Sequence, residues 1–167
     1  MWMSLYESLL SEGAQLNINI SEQWMPYTTK GLYADNIIWI NDRIPTQIEK
    51  ACVLAEEIGH YHTSSGDILD QSNITSHKQE LNARRWAYKK LVPLSKIVQA
   101  HKLHITNRYE LADYLSVTED FLNDAIAWYT NKYGLSVSID NFTICFEPLG
   151  VVEFFEWFNT SELIYGT

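Results

Sequence analysis

The sequence predicts an α+β domain in which a small antiparallel sheet packs beside helices and the C-terminal half is mainly helical. The chain has 167 residues, enough for one core without disulfide or metal staples. Alternating apolar and polar residues early in the chain are typical of strands, and apolar residues at helical spacing prevail from residue 45 to about 133. We therefore predict a single domain, 1–167, divided into a first part (1–92), a helical part (93–134) and a C-terminal hairpin and tail (135–167).

The N-terminal region is predicted to form a short helix followed by three strands. Apolar residues recur at helical spacing over residues 3–12, and Gly13 is a typical helix end. Residues 16–20 and 36–40 alternate as strands do, and residues 30–35 are typical of a strand that enters a hairpin turn. These three segments predict a small antiparallel sheet.

Two longer helices and three shorter ones follow. A proline and a threonine open a helix at 45–62, residues 63–67 form a connecting loop, and a second helix is predicted at 76–91, before a proline. Further helices are predicted at 94–103, 108–115 and 118–132.

The C-terminal part is predicted to begin with a hairpin. Residues 135–139 and 142–146 alternate in polarity on either side of an Asp-Asn pair that suits a tight turn. Residues 151–158 suit either a strand or a helix. Core packing is the simplest expectation for the aromatic tail at 154–158, and covering a groove, holding a partner or forming a dimer contact are the alternatives.

Charge and cysteine content exclude several classes of protein. A net charge of −9 argues against direct nucleic-acid binding, because that affinity comes mainly from Lys and Arg that neutralise phosphates. Cys52 and Cys145 lie far apart, which favours a reducing cytoplasm over a disulfide framework. The N-terminus lacks the pattern of a secretion signal, and no stretch approaches the roughly 20 apolar residues of a membrane span. We therefore expect a cytoplasmic protein.

A polar arc on the helix at 45–62 is the strongest functional signal. Glu56 and His60 are four residues apart, about 40° around a helix, and Glu57 lies about 60° beyond His60. Zinc peptidases place two ligands at this spacing, with a Glu beside the first ligand as general base. The opposite arc is apolar, and Gly59 permits a close approach by another helix. Ordinary solvation of a polar helix face is the structural alternative.

Glu80 on the following helix is the candidate third ligand. It shares a face with small and apolar residues, so it is expected to project toward a neighbouring helix. An ordinary surface pair with Arg84, four residues later, is the alternative role for this carboxylate. His77 lies on the same arc as a rival ligand, and His62 becomes a candidate only if the first helix ends at His60.

Several stretches of the chain together resemble one known family, ImmA/IrrE, and most closely its branch in phages and mobile elements of Gram-positive bacteria. The resemblance covers roughly residues 5–135. It is carried by the motif run at 52–61, by Gln79, Glu80, Ala83 and Ala87, and by residues 30–35 and 109–115.

The resemblance implies a zincin-like fold of the gluzincin type and metal-dependent endopeptidase activity, with residues 1–92 as the metal-site core. His60 and Glu80 would be metal ligands, and Glu57 the general base that deprotonates the attacking water. Glu56 stands where the family normally has its first ligand, a His, so the ligand set becomes Glu56, His60 and Glu80. Two carboxylates and one imidazole can bind zinc, and they also suit manganese or iron.

The resemblance also implies a partner. Some members of the family are implicated in cleaving helix-turn-helix repressors of phages or mobile elements, so a repressor is the expected substrate. The alternative function is that of a non-catalytic pseudo-peptidase, which binds a repressor or another regulator without cutting it. In that alternative Glu56 points away from the site.

Residues 110–122 have apolar residues at helical spacing on both sides of a short turn, as in a helix-turn-helix. The second helix of this unit carries Glu119, Asp120 and Asp124 where a DNA-binding helix needs basic or amide side chains. A packing unit is therefore favoured over a DNA-binding one. The basic cluster on the helix at 76–91 is interpreted as a solvated face; its members are Arg84, Arg85, Lys89 and Lys90.

Overall fold

The computed structural model of the protein describes residues 3–63 and 73–155, and these residues form a mixed α+β fold. The helices are α1 (Leu5–Gln15), α2 (Gln47–Thr63), α3 (Asn73–Leu91), α4 (Leu94–Lys102), α5 (Arg108–Leu115) and α6 (Glu119–Tyr133). The strands are β1 (Asn19–Gln23), β2 (Gly31–Ala34), β3 (Ile37–Asn41), β4 (Ser136–Ile139), β5 (Phe142–Phe146) and β6 (Leu149–Glu153). The predicted α+β class is confirmed, and no helix in the described ranges has the length and apolar content to cross a membrane.

Helix α1 begins with a capping box and runs past its predicted end. Ser4 accepts a hydrogen bond from the Glu7 backbone amide, and the Glu7 carboxylate accepts one from the Ser4 backbone amide. The prediction that the helix ends near Gly13 is wrong, because Gly13 lies inside α1 and faces Ile20, where any Cβ would overlap the Ile20 side chain. Asn17, with φ of 57°, then reverses the chain.

The first sheet has the order β1-β3-β2 and is mixed, so the predicted antiparallel sheet is only partly correct. Strands β2 and β3 are antiparallel, but β1 is parallel to β3, with Asn19 opposite Ile37. β1 also lies three residues later than predicted, because residues 16–18 still belong to the turn that follows α1. The parallel pairing arises because the chain crosses from β1 to the far edge of β3 before β2 begins.

The buried Asn41 side chain holds this crossing segment in place. Its amide nitrogen donates to the backbone carbonyl oxygens of Met25, Pro26 and Thr29 at 3.1, 3.2 and 2.8 Å. A side chain that is 3% exposed thus satisfies carbonyl groups that the sheet does not pair. The segment is thereby fixed next to the outer strand β2.

Helix α2 packs between this sheet and α3. The predicted apolar arc is buried, apart from Ile48, which is 39% exposed. A Cβ on Gly59 would overlap the carbonyl oxygen of Ala83, so the backbones of α2 and α3 approach closely at this point. Of the loop predicted at 63–67, Thr63 belongs to α2 and the rest lies outside the described residues. The close approach places His60 beside α3.

The C-terminal sheet has the order β4-β5-β6, and its hairpin has the predicted pairing across Asp140 and Asn141. The stretch from 151 begins as a strand, because β6 continues to Glu153. Phe154 and Phe155 are 59% and 74% exposed, so core packing is the wrong expectation for these two rings. The remainder of the aromatic tail, 156–158, lies outside the described residues.

Candidate active site

One cleft contains all four residues that the sequence singles out. Its walls are residues 27–33, which include β2, together with the exposed sides of α2 and α3 and the beginning of α6. Glu56, Glu57 and His60 reach it from α2, and Glu80 reaches it from α3.

His60 and Glu80 form the contact between the two helices at the centre of the cleft. The His60 Nε2 atom lies 3.1 Å from Glu80 Oε2, and the two side chains are 22% and 41% exposed. This contact depends on Gly59, because any larger residue there would separate the helix that carries His60 from the helix that carries Glu80. An imidazole nitrogen and a carboxylate oxygen at this separation are donors that one divalent cation could share.

Arg84 lies between the carboxylates of Glu80 and Glu56. Its Nε atom is 2.8 Å from Glu80 Oε1 and 3.9 Å from Glu56 Oε2. The predicted surface pair of Glu80 with Arg84 is therefore present, and it extends to the neighbouring helix. With Arg84 in this position, no three His, Cys, Asp or Glu side chains in the described part of the chain are grouped closely enough to hold a metal ion. His60 and Glu80 supply two donors that one cation could share, and Glu56, the third candidate, has Arg84 Nε at 3.9 Å from its carboxylate.

Glu57 is covered by strand β2. A Cβ on Gly31 would overlap the Glu57 carboxylate, so the absence of a side chain at Gly31 lets the strand lie directly over it. Burial is the main cause that raises the pKa of Glu57 to about 8, and the charges of Glu56 and Glu80 raise it further, whereas a hydrogen bond with the Tyr33 backbone lowers it. A carboxyl group with this pKa can take up and hold a proton near neutral pH.

Glu56 has a similar electrostatic environment. Burial raises its pKa to about 7, the positive charge of Arg84 lowers it, and the carboxylates of Glu80 and Asp124 raise it again. Burial therefore outweighs the attraction of Arg84, and Glu56 can exchange a proton near neutral pH.

The two rival histidines do not reach this centre. Helix α2 continues to Thr63, so the condition under which His62 could be a ligand is not met, and His62 instead stacks on Trp86 at a ring-centre distance of 4.7 Å. His62 is exposed. His77 is exposed and is not among the residues that line the cleft.

Sequence reasoning missed the contribution of Arg84 and of α6. It named the surface pair of Arg84 with Glu80 and otherwise interpreted Arg84 as part of a solvated basic face, so what it missed is the approach of Arg84 to Glu56. It interpreted the acidic start of α6 as a packing unit, whereas Thr118, Asp120 and Asp124 line the cleft. The acidic i, i+4 pair of Asp120 and Asp124 is the signal that could have indicated a functional face.

Comparison with known proteins identifies the family. No curated protein matches the chain at a significant level. The family model that matches is that of peptidase family M78, described as the IrrE N-terminal-like domain, and it matches residues 14–126, which include α2, α3 and most of α6. Because this match covers well over half of the 167 residues, the chain belongs to the M78 peptidase family, which agrees with the ImmA/IrrE resemblance of its motifs.

Proposed function

We propose that the protein is a metal-dependent endopeptidase with a zincin-like fold that acts in the cytoplasm. The contact of His60 with Glu80 beside the buried carboxyl of Glu57, inside a cleft of a peptidase-family domain, is the observation that carries this proposal. The three side chains supply two donors for a cation and one group that can accept a proton. These are the elements that metal-assisted hydrolysis requires.

Glu56, His60 and Glu80 are the residues that would hold the metal. Two carboxylates and an imidazole suit zinc, and they also suit manganese or iron. A bound divalent cation would supply Lewis-acid activation of water and of the peptide carbonyl. A bound cation would lower the raised pKa of Glu57, and the deprotonated carboxylate would then accept the proton of the attacking water and return it to the leaving amine.

Strand β2 offers a binding edge for an extended peptide. Lys30 and Asn41 are a hydrogen-bonded pair, and such pairs alternate along an antiparallel ladder, so the backbone groups of Gly31 and Tyr33 point away from β3. The Tyr33 amide already donates to Glu57, so this edge offers a substrate the Tyr33 carbonyl and the backbone of Gly31. Within the described residues β2 is the outer strand of its sheet, and both residues line the cleft. A substrate segment that pairs with this edge would pass next to Glu57.

The charge of the cleft favours a basic substrate. Even with Glu56 and Glu57 protonated, the remaining acidic side chains that line it outnumber the basic ones: Glu49, Glu80, Asp120 and Asp124 against Lys30 and Arg84. Proteins that bind DNA carry Lys and Arg to neutralise phosphates, so their surfaces are complementary to such a cleft. This complementarity and the family resemblance support a helix-turn-helix repressor of a phage or mobile element as the substrate, with the protein acting as an anti-repressor.

The experiment that tests this proposal separates metal binding from cleavage. The wild type and the Glu57→Gln variant are loaded with zinc and incubated with a helix-turn-helix repressor of the same element, and fragments are identified by mass spectrometry. We expect Glu57→Gln to retain the metal but to cut at least about 100-fold more slowly, because an amide cannot accept the proton. Glu110→Gln, the same change at an exposed residue outside the cleft, is the control and should cut like the wild type. Equal cleavage by wild type and Glu57→Gln would remove Glu57 from this role.

A second candidate function is repressor binding without cleavage. The position of Arg84 between Glu80 and Glu56 favours it, because a guanidinium group there can neutralise the site without any metal. In that case the protein forms a complex with the repressor that a chelator does not dissociate, and no fragments appear at any zinc concentration. Cleavage that a chelator abolishes excludes this candidate.

A further inference from the structure

Arg84 is the cationic side chain that the structure places between two of the proposed metal ligands. Its Nε atom contacts Glu80 Oε1 at 2.8 Å and lies 3.9 Å from Glu56 Oε2, while the second oxygen of Glu80 contacts His60. The other basic residue that lines this cleft, Lys30, is already paired with Glu49 at 2.8 Å. Arg84 therefore occupies the electrostatic position that a divalent cation would take.

A second location for the Arg84 side chain lies next to the first. Arg84 and Asp124 both line the active-site cleft, and both also line an adjacent groove between α3 and α6, together with Leu81, Tyr88 and Trp128. Arg84 is 46% exposed, so no packed side chain has to be removed before it turns toward this groove. There it would find the Asp124 carboxylate as a new partner and the Tyr88 and Trp128 rings as neighbours.

We propose that Arg84 is the internal counter-ion of the metal-free protein, and that a divalent cation binds by displacing its guanidinium group from Glu80 and Glu56 toward Asp124. This inference rests on the proposed function, because it presumes that Glu56, His60 and Glu80 are the ligands. Arg84 is a positioning residue, since it acts through the two carboxylates.

If Arg84 instead orients a metal ligand, its removal is expected to change zinc affinity in the opposite direction. Carboxylates that bind metals are commonly oriented by hydrogen bonds from a neighbouring side chain, and removal of such a partner weakens metal binding by about 10- to 100-fold. If Arg84 only orients Glu80, its removal weakens zinc binding. If Arg84 competes with the metal, its removal strengthens zinc binding.

The test measures zinc affinity of the full chain after removal of metal, by competition with a chromogenic chelator. We expect Arg84→Met to bind zinc at least about tenfold more tightly than the wild type, because a positive charge near a divalent ion is removed and two carboxylates are released. Arg84→Lys keeps the charge and should show no such gain. Asp124→Asn should bind more weakly, since the displaced guanidinium group loses its partner. Lys89→Met is the matched control, because Lys89 is an exposed cation on α3 that lines neither the cleft nor the adjacent groove, and its affinity should equal that of the wild type.

Thermal melting of each metal-free variant confirms that it is folded before its affinity is compared. Tighter binding by Arg84→Met than by a wild type that also binds zinc supports the inference. Binding by the variant alone overturns both the inference and the proposed activity of the wild type, because the cation then does not displace Arg84. Equal or weaker binding by Arg84→Met, with a wild type that binds zinc, overturns the inference and leaves the proposed function intact. Absence of binding in both proteins overturns both.

Discussion

Two adjacent carboxyl groups, Glu56 and Glu57, dominate the chemistry of the cleft at the scale of single residues. Burial is the main cause that raises both pKa values, to about 7 for Glu56 and about 8 for Glu57, from an ordinary value of 4.5. Each group therefore keeps a proton in the folded protein at a pH at which the unfolded chain has released it. Unfolding of the metal-free protein then releases protons.

The upward direction of both pKa shifts determines how the stability of the folded protein depends on pH. The stabilising contribution of these two groups is fully present below pH 4.5 and is lost as the pH rises through about 7 and about 8, because increasing pH favours the state that binds fewer protons. We expect Glu57→Gln, which stays uncharged, to lose less stability than the wild type between pH 5 and pH 9. Urea unfolding of the metal-free proteins at a series of pH values measures this, with Glu110→Gln as the control. If the free energy of unfolding changes with pH equally in wild type and Glu57→Gln, then Glu57 is not held in its protonated form.

Helix periodicity was sufficient to predict which side chains of the two helices form the candidate site. Glu56, Glu57 and His60 follow from their spacing on one helix, and Glu80 follows from a face of small residues on the next. The contact of Arg84 with Glu56 could not be predicted, because it depends on how α2 and α3 are positioned against each other. The pKa shifts of the two glutamates depend equally on β2, which is distant in sequence and covers Glu57.

Among the contacts between helices and strands, the packing of α2 on α3 is the one on which the site depends. Gly59 meets the Ala83 carbonyl without room for a Cβ, one residue before His60. We expect Gly59→Ala to destabilise the protein by about 1–3 kcal/mol, because the helices must separate, although Ala is intrinsically the better helix former by about 1 kcal/mol. Separation of the helices also lengthens the His60–Glu80 contact, so metal affinity should fall together with stability.

Chemical denaturation compares Gly59→Ala with Gly150→Ala. Gly150 lies in β6, and a Cβ there would meet no atom within 4 Å, so the same substitution should cost little. If both variants are as stable as the wild type, the close approach of α2 and α3 does not determine the geometry of the site.

The strands illustrate what local pattern can and cannot determine. Asp35 and Asn36 have φ values of 47° and 62°, which their short polar side chains tolerate, and this turn makes the β2–β3 hairpin predictable. The parallel pairing of β1 with β3 was not predictable, since alternation of apolar residues carries no information on strand direction. It depends on a crossing segment that Asn41 anchors through three backbone carbonyls.

At the scale of the whole molecule, the acidic character of the chain is concentrated where it serves the proposed function. The net charge of −9 argues against nucleic acid as a partner, and the cleft between the first sheet, α2, α3 and α6 carries six of the acidic side chains. Helix α6 begins within residues 110–122, the stretch whose apolar spacing resembles that of a helix-turn-helix. Its first turns contribute Asp120 and Asp124 to the cleft, so this unit extends the site.

Metal content is the most direct test of whether Glu56, His60 and Glu80 form a metal site. Wild-type protein, His60→Ala and Glu80→Ala are purified without chelator, supplied with zinc, manganese or iron(II), and analysed by elemental mass spectrometry after removal of free ions. We expect about one equivalent of a divalent ion in the wild type and none in either variant, because each variant loses one of the proposed ligands. A wild type that retains no metal under any of these conditions, or a His60→Ala variant that retains as much as the wild type, would contradict this expectation.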